Sequence, residues 1–244
     1  MPVLLLCHGD KAARDLLRAA IEARYGRLPP VLESLEVSFI GRARVKVGPV
    51  YTWVPVESSA YFVFPNRLRW DFTVKPMGMA VQRGSEAFDG ETYLSMRGNS
   101  APTVITQPEH LVGMRRRLWA IAATLLTPLS EAFVRLTTNN ETCFSAENTE
   151  LGDVVSLCVS PDGHKLASVE VSCHNPETQR EQILKLRLAA TQKAVGDLIM
   201  PSQINMGWDN KPLYELIPQS TRVNPSLADS LFRLDSRGTD VARR

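Results

Sequence analysis

Along most of this chain hydrophobic residues alternate with polar ones, and two stretches of helical spacing interrupt that alternation. The first runs over residues 10–25, where Leu16, Leu17, Ala20, Ile21 and Arg24 fall at helical intervals. Asp10 can cap its start and Gly26 can stop it. The second runs over residues 108–126. Leu111, Met114, Leu118, Ile121 and Leu125 form one face, and Val112, Trp119, Ala122 and Leu126 widen it. Thr106 to Glu109 has the pattern of a capping box, with Pro108 placed where its missing N–H does no harm, and Pro128 marks the end. A helix apolar over more than half its girth needs a broad apolar surface to lie on. The chain on both sides reads as strands, so the inner face of a curved sheet is the expected surface. A curved sheet with a helical cover makes an apolar pocket.

The strand signals are short and bounded by turns. Ser34 to Val47 alternates, with a change of phase near Gly41 read as a bulge. Gly48-Pro49 is a turn. Tyr61–Phe64 and Leu68–Val74 follow, with Leu68, Trp70, Phe72 and Val74 on one face. Met79–Phe88 and Thr92–Met96 read as a hairpin around Asp89-Gly90. After the long helix, strands are expected at 133–137, 142–146, 153–159, 165–173, 182–188, 198–201, 203–206 and 213–223. Residues from Asp235 onward form a polar tail. No repeat of 20–50 residues and no Pro/Gly-rich linker divides the chain, so residues 1–244 read as one mainly β (α+β) domain.

Composition changes this picture little. The formal charge is +2, which offers no electrostatic argument for nucleic acid. Arg115, Arg116 and Arg117 are adjacent and fan around the helix; a solvated face is the plainer reading, phosphate contact the sharper one. The cysteines Cys7, Cys143, Cys158 and Cys173 have no CxxC spacing, which suits thiols or one disulfide better than a metal site. The four histidines lie far apart and read as surface or turn residues. Val3–Leu6 is too short for a signal h-region, so either the protein is cytosolic or a leader is missing from the sequence. No stretch reaches the length of a membrane span.

Candidate chemistry is sparse. There is no GxSxG, HExxH, Walker loop or GxGxxG. Asp89, Asp162 and Asp209 all sit in turns, which explains them. The aromatics Trp53, Phe62, Phe64, Trp70, Phe72 and Trp119 gather in the first strands and the helix, where core packing and cavity lining are both open. Met77, Met79 and Met114 would suit a cavity that accepts flexible acyl chains.

Several segments resemble one family when taken together. Ile21–Arg27 followed by VLESLEVSFIGRARV is similar to the opening of bacterial outer-membrane lipoprotein-sorting proteins with the LolA/LolB-like fold. Phe64-Pro65-Asn66-Arg67-Leu68-Arg69-Trp70 resembles their P-x-x-hydrophobic-R strand, and Phe88-Asp89-Gly90-Glu91-Thr92-Tyr93 their hairpin. Met200–Ile204 and Val223–Phe232 resemble their closing segments. The likeness runs from Leu16 to Leu234, with residues 137–191 alike only in strand pattern. It implies an unclosed antiparallel β-barrel whose concave face is covered by helices, working in the periplasm or cell envelope.

The function expected is a non-enzymatic carrier that shields a lipid or lipoprotein acyl chain, without cofactor, metal or nucleic acid, as a monomer. A membrane-associated protein partner is possible. Trp70, Phe72, Met114, Leu118, Trp119 and Leu125 are expected to line the pocket or close it. The alternative is an interaction or sensor module of the same fold, its hollow filled by its own side chains.

Overall fold

The structure is a computed structural model that describes residues 5–26, 28–75, 82–176 and 178–234, with Val47 described by its backbone alone. A short strand β1 (His8–Gly9) precedes helix α1 (Lys11–Tyr25). Then come β2 (Ser34–Val47), β3 (Val50–Val63), β4 (Arg67–Val74), β5 (Gln82–Phe88), β6 (Tyr93–Arg97) and β7 (Thr103–Ile105). Helix α2 (Pro108–Thr124) follows, with a 3-10 turn at Thr127–Ser130. The second series is β8 (Val134–Thr138), β9 (Cys143–Asn148), β10 (Asp153–Val159), β11 (Leu166–Asn175) and β12 (Arg180–Leu188). It continues with β13 (Gln192–Val195), β14 (Leu198–Pro201), β15 (Ile204–Trp208) and β16 (Lys211–Val223).

Fourteen of these strands form one sheet in the order β1-β8-β9-β10-β11-β12-β15-β16-β2-β3-β4-β5-β6-β7, while β13 and β14 pair separately. All pairings are antiparallel except that of β1 with β8. The sheet is large, curved and not closed into a barrel. Its curvature follows from α2, which packs on β10, β11 and β12 and also reaches β6. β11 and β6 are eight strand spacings apart. In a flat sheet that is about 38 Å, and a helix with its side chains is only about 10–12 Å across.

Several expectations need correction. The chain after Gly48-Pro49 is strand throughout, so the expected strand at 61–64 is the end of the 14-residue β3. Inward-facing Ser58 and Ala60 are small or polar and hide the alternation from view. There is no bulge in β2: its register with β3 runs unbroken from Ser34↔Val63 to Val47↔Val50. Leu35, Val37, Phe39, Ala43 and Val45 share one parity, so no phase change occurs. The irregularity lies opposite, in β16 between Pro218 and Ser220. Gly41 is instead a site of close approach, since a Cβ there would sit 1.9 Å from the Glu215 carbonyl oxygen. The capping box is not formed, because Gln107 is the N-cap and makes no side-chain bond. Asp10 does not cap α1 through its side chain either; its carboxylate accepts the Thr138 N–H at 2.8 Å and ties α1 to β8. The hairpin start at Met79–Val81 and the tail from Asp235 lie outside the described residues.

The apolar stripe of α1, Ala13, Leu17, Ala20 and Ile21, is fully buried against β8 and β9. At its end Arg24 donates to the Thr124 carbonyl and Tyr25 to the Leu125 carbonyl, so α1 caps the C-terminal carbonyls of α2. The arginine triplet of α2 is not a solvated face. Arg115 and Arg116 both bond Asp153, which is 1% exposed, and Arg116 also donates to the Ser172 carbonyl. Arg117 turns the other way and lies over the Tyr93 ring, 5.7 Å from its centroid. A helix buried on most of its girth has no open side for three cations, so each bridges to a strand.

Candidate functional site

The six residues singled out from the sequence fall into two groups. Met114, Leu118, Trp119 and Leu125 are at most 3% exposed and belong to the main core. The Trp119 indole N–H donates to the Ala146 carbonyl at 3.3 Å, which fixes the ring against β9. Phe72 belongs to a second, smaller cluster with Ala43, Val54, Val56, Val74 and Leu216. Half-buried Trp70 packs against both clusters and joins them.

The two clusters share one face of the sheet. Leu68, Trp70, Phe72 and Val74 of β4 pair with Phe88, Glu86, Gly84 and Gln82 of β5. These in turn set Glu86 opposite Ser95, Phe88 opposite Tyr93 and Gly84 opposite Arg97 on β6. Trp70 and Tyr214 meet edge to face with centroids 5.1 Å apart. Their strands β4 and β16 are separated by β2 and β3. In a flat sheet that separation is about 14 Å, so the rings meet because this face is concave.

A polar network crosses this apolar face. Arg97 donates to Glu86 at 2.8 Å and stacks over Phe72, 4.9 Å from the ring centroid. Gly84 makes the stack possible: a Cβ there would lie 2.3 Å from the Phe72 ring and 3.0 Å from the Arg97 guanidinium. Burial pushes the Tyr93 phenol up; the Glu86 charge adds to the rise and Arg117 opposes it. Arg117 Nε is buried and has no hydrogen-bond partner. Sequence reading missed this network. The available signal was parity, since Glu86 shares its face with Phe88, and Arg97 shares its face with Tyr93.

Two of the histidines are not surface residues. His110 in the first turn of α2 is buried, and its ring meets that of His174 on β11 with centroids 4.5 Å apart. The His110 ring bonds the Gln179 side-chain amide at 3.2 Å, while His174 Nε2 is buried without a partner. Cys143 and Cys158 are opposite residues of β9 and β10 and form a disulfide. Cys7 and Cys173 are free and buried, and burial pushes the Cys173 thiol up to about 12. Among the described residues no group of three or more His, Cys, Asp or Glu could hold a metal ion. No described helix is long and apolar enough to cross a membrane. Asp89 is a turn residue, its carboxylate accepting the N–H groups of Glu91 and Thr92. Two open clefts, of about 340 and 450 Å³, lie by Arg42 and Trp53 and by Arg67 and Asp229; neither is lined by any of the six expected residues.

No family model and no curated protein matches the chain. Among solved structures it is similar to a DUF1329 family protein from Desulfovibrio piger, at 10% identity and a TM-score of 0.48, over 93% of this chain and 98% of that one. It is also similar to a LolA superfamily protein from Nitrosomonas europaea, at 14% identity and a TM-score of 0.47, over 91% of this chain and 97% of that one.

Proposed function

We propose that this protein is a non-enzymatic binder of an apolar ligand, a lipid or the acyl chain of a lipoprotein, acting in transport or sorting in the bacterial cell envelope. In this reading α2 covers the concave face of the sheet and shifts to admit the chain along Trp70 and Phe72. The observation that supports it is the continuous apolar face on which a second cluster, around Phe72, lies beyond the main packing of α2 and is joined to it by half-buried Trp70. Each methylene moved from water to such a face is worth about 0.8 kcal/mol. A chain of about a dozen then outweighs much of the cost of association.

One observation favours a different reading. The hollow directly under α2 is filled by Met114, Leu118, Trp119 and Leu125, as a self-filled interaction or sensor module would have it. Organic extraction of the purified protein followed by mass spectrometry separates the two. A lipid in stoichiometric amount supports the carrier. A blank extract, repeated after incubation with envelope lipids, supports the interaction module. Because Leu118 is fully buried, Trp70→Asp is the better site variant: it is expected to lose the lipid and keep the fold.

A further inference from the structure

We infer that the ligand of the concave face is an amphiphile with an anionic headgroup, a carboxylate or a phosphate monoester, and that Arg97 and Arg117 receive that headgroup. This rests on the binding function proposed above and names its ligand class. The argument is one of charge. Across β5, β6 and α2 the network holds two guanidiniums and one carboxylate, that of Glu86, whose side chain is 11% exposed. Among the described residues Arg117 has no carboxylate partner, although its neighbours Arg115 and Arg116 both reach Asp153. Its Nε, buried without a partner, is a donor held away from water.

Both guanidiniums are part-buried against an apolar wall, where an anion is favoured to join an unbalanced cation. Arg97 has spare capacity as well. Nη2 serves Glu86, Nη1 has only a long 3.4 Å bond to the Met96 carbonyl, and the side chain is 46% exposed. Phe72 and Trp70 lie beside it, with ring centroids 5.4 Å apart. Cation and apolar wall are therefore adjacent, as an amphiphile's head and chain require. Guanidinium is suited to this role because it pairs with carboxylate and phosphate oxygens through two parallel N–H donors.

Equilibrium binding of radiolabelled palmitate, hexadecyl phosphate and hexadecanol to the full chain tests the inference, since all three carry the same alkyl chain. The wild type is expected to bind the two anions at least about tenfold more tightly than the alcohol. Arg97→Gln and Arg117→Gln should each bring that ratio towards one by weakening the two anions more than the alcohol. Arg97 is half exposed, so its variant keeps the fold even if the Arg117 variant does not. Equal affinity for alcohol and anions in the wild type overturns the headgroup site while the binding function stands. Binding of none of the three overturns both. Parallel loss of all three in both variants, with folding intact, also overturns the site. So does competition by acetate or inorganic phosphate as strong as that of the amphiphiles, which would make the ligand a free anion.

Discussion

The end of the sheet formed by β8 to β12 and the stretch β16-β2-β3-β4 share one face but are built differently. At the first, two helices press on the strands, and Val134, Leu136, Phe144, Ala146, Leu157 and Val169 have no exposure at all. There Asp153 is held between two arginines. On the second, Val54, Phe72, Val74 and Leu216 keep 6–8% exposure and are flanked by half-buried Phe39, Val45, Trp70 and Tyr214. On its outer face Arg42 lies over Trp53, and Arg97 of β6 reaches over Phe72; each is also paired with a carboxylate, Glu215 and Glu86. The sheet alone does not make a core. A tightly packed interior arises where a helix supplies a second layer, and without one the same strands keep a residual surface.

Substitutions can break or sharpen this contrast. The largest effect is expected at the helix-backed end. Asp153→Ala leaves Arg115 and Arg116 without their buried partner and should cost about 3–5 kcal/mol in urea unfolding. A cost under about 1 kcal/mol would show that the pair is not a structural anchor.

A matched pair comes next. Leu136→Ala should cost about 4 kcal/mol and Leu216→Ala about 2, because the cavity near the second cluster can collapse or take up solvent. Equal costs would erase the difference between the regions. Reduction of Cys143–Cys158, which closes a separation of 15 residues, should lower stability by about 3 kcal/mol in the same assay.

A pH series is milder near neutrality. The Cys173 thiol is raised by burial from 9.0 to about 12. The folded state therefore holds this proton more tightly than the unfolded chain. The contribution is complete below pH 9 and is lost as pH rises towards 12, at up to about 1.4 kcal/mol per pH unit. Cys173→Ala should flatten that part of the curve. Unfolding followed between pH 8 and 11 for both proteins measures it. The smallest effect is expected at the exposed hairpin: Tyr51, 62% exposed, should tolerate alanine within about 0.5 kcal/mol.

Strand identity was legible wherever inward positions are apolar, as at Leu68, Phe72 and Val74, and β2 was read to its ends. It was lost where the inward residue is polar: Ser58 concealed most of β3. β7 and β13 leave no signal in the sequence because they are short and mostly exposed, whereas β14, no longer than β13, shows through its apolar Leu198-Ile199-Met200. Of the six expected site residues, the sequence placed all on apolar faces but could not divide them between two clusters. That division depends on which strands α2 touches. The Arg117–Tyr93 contact joins residues 24 positions apart through the bend of the sheet, and His110 meets His174 across a still longer separation. No local pattern encodes either contact.

Chain order adds a consequence of the strand order. β2 to β7 is one continuous meander, β8 to β12 with β15 forms another, and β16 alone stitches them together between β15 and β2. During synthesis both meanders exist before Lys211–Val223 emerges. Until then β2 offers a bare edge of unpaired amides and carbonyls, open to pairing with another chain, whereas β15 ends at Trp208, just before β16 begins. The long interval between making β2 and making β16 is thus the time when a nascent molecule is most exposed to aggregation, and a chaperone would have most to protect.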